Sequence, residues 1–187
     1  NSSVIESGRS RTPVSIAEAE IEPGSVDAVT LWHVLEHLDD PGTAVGRIFD
    51  WTAPRGALLV GVPNLASWQA RIGGARWYHL DVPRHRVHFT PSGLSALLYA
   101  HGFAPVHTHH LLFEHNPFGM WQSLVNGWTR HPSYLYNVLK RNAPFDWRDA
   151  AVTVAAVPAA PLAAALELLA GLERHGGTIA VLARRVE

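Results

Sequence analysis

The chain has 187 residues, and its 15 Lys+Arg against 16 Asp+Glu leave a formal net charge of −1 with histidine neutral. That balance speaks against a surface built to neutralise nucleic-acid phosphates, and 47% hydrophobic with 17% charged residues excludes the disordered and low-complexity classes. With no cysteine there is no disulfide framework, zinc ribbon, thiol nucleophile or iron–sulfur cluster, which suits a reducing, cytoplasmic setting.

Asn1-Ser2-Ser3-Val4 lacks the charged and apolar order of a signal peptide, and the only methionine is Met120, so a natural start upstream is expected. The turn Glu22-Pro23-Gly24-Ser25 introduces Val26-Asp27-Ala28-Val29-Thr30-Leu31-Trp32, an apolar, β-branched run that predicts a buried strand. Asp39-Asp40-Pro41-Gly42 supplies a helix cap, with Val45, Ile48 and Phe49 on one face of the helix that follows. Pro54-Arg55-Gly56 ends that helix, and Ala57 to Val62 is a second apolar strand stopped by Pro63-Asn64. Strand, helix and strand, with both strands apolar on both faces, predict a βαβ unit in a parallel sheet.

An aromatic and basic loop leads to Thr90-Pro91-Ser92-Gly93, an N-cap with proline in the first turn. Leu94, Leu97 and Leu98 form the apolar stripe of a helix closed by His101-Gly102. Phe103 to Phe113 predicts a third strand and Gly177 to Arg184 a last one. About 60 residues separate these two, too many for a plain connection. Within them, Pro117 to Leu139 predicts one or two aromatic-rich helices broken at His131-Pro132, with Trp121, Trp128, Tyr134 and Tyr136 on an exposed, interface-seeking face. Ala151 to Ala170 contains only one charge, Glu167, and is long enough to cross a bilayer. Pro158, Pro161 and the dominance of alanine favour instead a core or interfacial helix from Pro161 to Leu172. The expected division is a core portion over 1–112, a helical insertion or cap over 113–175 and a final core strand over 176–187.

Ser25-Val26-Asp27-Ala28-Val29 followed by Val34-Leu35-Glu36-His37-Leu38-Asp39-Asp40-Pro41 resembles the fourth strand and following loop of class I S-adenosylmethionine-dependent methyltransferases. Val62-Pro63-Asn64, Trp77, Pro83-Arg84-His85, His88-Phe89-Thr90 and His101-Gly102-Phe103 recur in the order of a broad bacterial branch of that family. The resemblance runs from about Ser15 to Val106 and resumes at Gly177. It implies an α/β, Rossmann-like class I methyltransferase fold with the usual strand order 3-2-1-4-5-7-6, of which this chain holds 3, 4, 5, 6 and 7. The family's strands 1 and 2, the glycine-rich loop and the ribose-binding acid would then lie upstream of Asn1. It further implies S-adenosyl-L-methionine as cofactor, with Ser15, Ile16 and Ala17 at the adenine and Leu31, Trp32 and His33 at the ligand end of the sheet. Ser15 stands where the family places an acidic residue, and Glu18 lies three places on.

Methyl transfer from a sulfonium is a direct displacement, so the protein must align donor and acceptor and, for an oxygen or nitrogen acceptor, take up a proton. His37, His85 and His88 are the candidate bases, with Asn64, Trp77 and Arg84 as acceptor-binding candidates. His37 serves equally well as a loop acceptor, with Glu36 capping the helix after it. The acceptor is a small molecule or a sugar- or lipid-linked one, with peripheral membrane contact through 117–172. No nucleic acid is expected, although Arg71, Arg76, Arg84 and Arg86 interleave with Trp68, Trp77 and Tyr78. Two rival readings are an inactive methyltransferase-like scaffold and a metal-dependent hydrolase using His107-x-His109-His110 or His33-x-x-x-His37. Against the second, no His-Glu-x-x-His motif occurs and strand alternation sends His109 and His110 to opposite faces, so no metal ligands are assigned.

Overall fold

The computed structural model describes Ile16, residues 18–113 and residues 115–187. Of the expected adenine contacts, Ser15 and Ala17 lie outside the described residues. In chain order the elements are β1 (Val26–Trp32), α1 (Pro41–Trp51), β2 (Thr52–Pro63), α2 (Trp68–Gly73), α3 (Pro91–Ala100), β3 (Phe103–His109), α4 (Asn116–Val125), α5 (Tyr134–Leu139), α6 (Trp147–Ala156), α7 (Ala160–Leu172) and β4 (Thr178–Arg185). Short 3-10 turns at Leu35–His37, Gly74–Arg76, Tyr78–Leu80 and Val157–Ala159 join them.

The sheet runs β1-β2-β4-β3, and β1 pairs parallel with β2, placing Leu31 opposite Val60 and Trp32 opposite Gly61. This is the 4-5-7-6 portion of the order implied by the resemblance, and the fold is the α/β, Rossmann-like one expected. The Asp40 carboxylate caps α1 by accepting from the Thr43 N–H at 3.0 Å and the Thr43 hydroxyl at 2.6 Å. The hydroxyl bond, seconded by the backbone one, holds that carboxyl below its ordinary range. β2 begins at Thr52 rather than Ala57. The expected stop at Pro54-Arg55-Gly56 is absorbed as an irregularity, with Arg55 at φ 64° and a register shift between Val26 and Ala28.

The chain forms two compact units. The first takes the residues up to Val62, Ser92–Thr108 and Ala180–Glu187. Its core includes the fully buried Leu35, Val45, Ile48, Leu58, Val60, Leu94 and Phe103, the apolar positions of strands and helix stripes that burial drives inward. Gly102, at φ +79°, closes α3 and lets the Phe49 ring approach where a Cβ would sit. Phe49 in turn meets Phe103 edge-on at 5.6 Å and carries the Arg185 guanidinium 4.1 Å above its ring.

The second unit takes Pro63–Pro91 and His109–Ile179. Met120, Trp121 and Val125 of α4 are buried with Ala163 of α7, and Trp68, Leu135 and Val152 pack around them. Two expectations fail here. β3 ends at His109 instead of running to Phe113, because the His110 carbonyl lies against Gly176 and Leu111 lies against Gly171, where any side chain would collide. Trp121 and Tyr134, expected on an exposed face, are 5% and 3% exposed. Each ring spends its polar atom inside: Trp121 Nε1–H donates to the Ala156 carbonyl at 2.9 Å, and the Tyr134 hydroxyl donates to the Asp146 carbonyl and accepts from its N–H, both at 2.9 Å. Trp128 is exposed as expected.

Candidate functional site

In an open α/β sheet the carboxyl ends of the strands receive ligands, and in the first unit β1 delivers Leu31, Trp32 and His33 there. Leu31 is buried and anchors the strand end, and Ile16 is buried as well. The Trp32 ring lies across Gly61 of β2, so closely that a Cβ on Gly61 would stand 2.5–2.9 Å from three ring carbons. His33 leaves the strand with its N–H donating to the Gly61 carbonyl at 2.9 Å and with φ 52°, a left-handed conformation costly for a residue with a Cβ. The turn Leu35–His37 then brings Glu36 back, and its Oε1 meets His33 Nδ1 at 2.9 Å. Glu36 is 1% exposed, and its Oε2 is buried without a hydrogen-bond partner. His37 closes the same turn through its N–H to the Val34 carbonyl at 3.1 Å.

A buried carboxylate oxygen left unmatched is expensive, and is the kind of exception that marks a ligand position. The pairing of His33 with Glu36 fixes the imidazole proton on Nδ1, which directs the basic lone pair of the neutral ring to Nε2. An indole, an imidazole and an acid at one strand end suit a positively charged ligand.

In the second unit the loop between β2 and α3 gathers the other candidates. His85 Nδ1–H donates to the His79 carbonyl at 2.7 Å, and His88 Nε2–H donates to the Leu80 carbonyl at 2.9 Å. These carbonyls set opposite tautomers, leaving Nε2 of His85 and Nδ1 of His88 as the proton-accepting nitrogens of the neutral rings. The two rings lie 6.1 Å apart, and Trp77 lies 6.0 Å from His88. Arg84 forks onto Asp81 Oδ1 at 2.7 and 3.1 Å, and this hydrogen bond raises the guanidinium further above its ordinary value. Burial pushes the neighbouring Tyr78 hydroxyl far up, so that it stays a neutral phenol. Asn64 is fully buried: its amide donates to the Gly176 carbonyl at 3.0 Å and accepts from the Ala66 N–H at 2.9 Å. Its observed work is therefore to tie down the loop leaving β2.

Three participants escaped sequence reasoning. Gly61 carried a usable signal, since glycine inside an apolar strand marks a close approach. The His33–Glu36 pair was signalled only by its i, i+3 spacing across a turn that sequence does not announce. Glu167, the lone charge of an apolar helix, accepts from the Gly177 N–H at 2.7 Å and from Gln69 Nε2 at 2.7 Å.

The methyltransferase-domain family matches residues 6–108, more than half of the chain. The chain belongs to that family. The match stops one residue before β3 ends, so the helices α4 to α7 of this methyltransferase-domain protein lie beyond it. A search of curated protein sequences returns no match. Among solved structures, the [4+2]-cyclase SpnF is similar with a TM-score of 0.53 at 16% identity, covering 94% of this chain and 55% of that one. A protein proposed to be a sarcosine dimethylglycine methyltransferase, from Galdieria sulphuraria, gives 0.50 at 15% identity, covering 92% and 58%. A SAM-dependent methyltransferase from Thermotoga maritima gives 0.50 at 13% identity, covering 92% and 62%. The chain thus spans 55–62% of the length of these neighbours, and at such identities the likeness concerns the fold.

Proposed function

We propose that this chain supplies the substrate-side portion of an S-adenosylmethionine-dependent methyltransferase of the bacterial branch named above, located in the cytoplasm. The observation that carries this reading is the group Trp32, His33 and Glu36 at the carboxyl end of β1 in a chain of the methyltransferase-domain family. The unmatched Glu36 oxygen and the Trp32 ring fit a sulfonium-bearing cofactor, with Leu31 and Ile16 as the apolar backing. The bound cofactor supplies an electrophilic methyl group. The residues of the chain then orient the acceptor and move one proton. His85, through Nε2, is the base we assign, with His88 and His37 as the other candidates for that role. Trp77 and Arg84 face the acceptor, a small molecule or a sugar- or lipid-linked one, while Asn64 holds their loop.

Photo-crosslinking with radiolabelled S-adenosylmethionine tests the placement at any affinity. The label is expected on the peptide holding Leu31 to His37, to be displaced by S-adenosylhomocysteine, and to fall about tenfold in Trp32→Ala, measured at a temperature where that variant is folded by circular dichroism, the loss expected of one desolvated cation–ring contact. Label scattered over the chain and insensitive to competitor would leave the inactive-scaffold reading.

A further inference from the structure

We infer that the outward face of α6 and α7 docks on an anionic lipid surface, lying in its plane. From Ala151 to Leu172 the only ionisable side chain is Glu167, and Glu167 is turned inward and buried. The exposed positions of this run are therefore uncharged throughout: Val154, Val157, Leu162, Leu168, Leu169 and Leu172 stand 38–69% exposed, separated by alanine and proline. In α7 the inward positions Ala163, Glu167, Ala170 and Gly171 repeat opposite the outward Leu162, Leu169 and Leu172, so one helix carries two apolar faces and only one is covered by its own unit.

The charges around this face choose the occupant. Over Trp128–Leu172 the basic residues Arg130, Lys140, Arg141 and Arg148 are all exposed. Of the three acids of the same stretch two are buried, and Asp146 lies 3.8 Å from Arg130, so the cations left to the face are Lys140, Arg141 and Arg148. Asp149 is fully buried and accepts from the N–H groups of Arg130 and His131 and from the His131 ring. Asp146 caps α6 by accepting from the Arg148 and Asp149 N–H groups, and Glu167 is the buried group above. An apolar face with exposed cations beside it, and with Phe145 and Trp147 at its start 74% and 76% exposed, is the composition of an interfacial helix on anionic lipid. A second copy is the poorer occupant, because a two-fold interface would set these cations against their own counterparts. Trp147–Leu172 is also long and apolar enough to span a membrane by length and composition. Spanning would drag the buried Asp149 and Glu167 into hydrocarbon and strip α7 from α4, whereas docking in plane leaves both acids where they are.

Co-sedimentation of the full chain with vesicles of phosphatidylcholine, with and without phosphatidylglycerol, reads the inference without cofactor, so its outcome is independent of the methyl-transfer reading. Binding is expected only with the anionic lipid, and is expected to be lost at about 1 M salt, where charges are screened beyond about 3 Å. Leu162→Glu with Leu169→Glu should lower the partition coefficient at least about tenfold, and Lys140→Glu with Arg148→Glu about tenfold or more. All four side chains are exposed, so melting temperatures should hold. Equal binding to neutral and anionic vesicles, or none to either by a folded chain, overturns the inference. So does a dimer in sedimentation velocity that the leucine variants dissolve, which would give the face to a second copy.

Discussion

At Gly61 the absence of one methyl group decides where an indole sits. The Trp32 ring carbons occupy the space a Cβ would need, and Trp32 precedes His33, whose left-handed φ aims the imidazole at Glu36. Gly61→Ala should therefore displace the ring, costing about 1–3 kcal/mol as an overpacked site, or about 3 to 9 °C in melting temperature at this chain length. A double-mutant cycle isolates the cause: in a Trp32→Ala background the added methyl should cost close to nothing. Additive losses would mean that Gly61 serves the backbone of β2 and not the ring. The residues of this site were legible unequally. Trp32, His33 and His37 stood out because chemistry-bearing types follow an apolar strand, where α/β sheets receive ligands. Their partners were hidden, because Glu36 reaches His33 only through a 3-10 turn and because His85 and His88 are oriented by backbone carbonyls, which every residue possesses and no sequence distinguishes.

The helix α7 shows how an element can be fastened by one charge. Glu167 ties it to the start of β4 through the Gly177 N–H and to α2 through Gln69, and Gly177 leaves room for the Gln69 amide where a Cβ would collide. Burial raises the Glu167 carboxyl above its ordinary range, and the two donors only partly offset it. A carboxyl raised in the folded state favours folding in its protonated form. Its contribution is fully present below the unfolded value and is lost as pH rises through the folded one. Chemical denaturation should show Glu167→Gln gaining on the parent as pH climbs from about 4 to 7. Glu167→Ala should lose about 1–3 kcal/mol for each buried donor it orphans. A parent and a Gln variant with parallel pH profiles would show that Glu167 keeps water in the folded state. Among the elements, β1, α1, β2, α3 and β4 could be read in advance because capping residues and apolar periods agree there: Asp40 before Pro41, Leu94 with Leu98, Gly102 after α3. α2 was missed, since six residues are too few to show a helical period and Ser67 is one cap among many loop serines. The burial of Trp121 and Tyr134 was missed because an amphipathic ring fits a wet interface and a hydrogen-bonded core equally well, and only the positions of Ala156 and Asp146 decide between them.

Across the whole sheet, the order β1-β2-β4-β3 leaves β1 at an edge, with one strand neighbour among the described residues. The His33 N–H reaches the Gly61 carbonyl, and a parallel ladder alternates, so Val29 and Leu31 direct their N–H groups to β2 while Ala28 and Thr30 direct theirs away. An edge this rich in β-branched and apolar residues invites another strand. Only Asp27 places a charge along it, and charged side chains are the usual defence of an open edge. Amide hydrogen exchange resolves the outcome residue by residue. In dilute solution Val29 and Leu31 should be protected and Ala28 and Thr30 should exchange quickly. As concentration rises, protection should spread to Ala28 and Thr30 together with an increase in sedimenting mass, because a second chain then fills the edge through its own β1. Thr30→Lys, an exposed position, should suppress both changes without altering the protection of Val29. Protection of Thr30 that is strong and independent of concentration would show instead that another part of the same chain already pairs with β1.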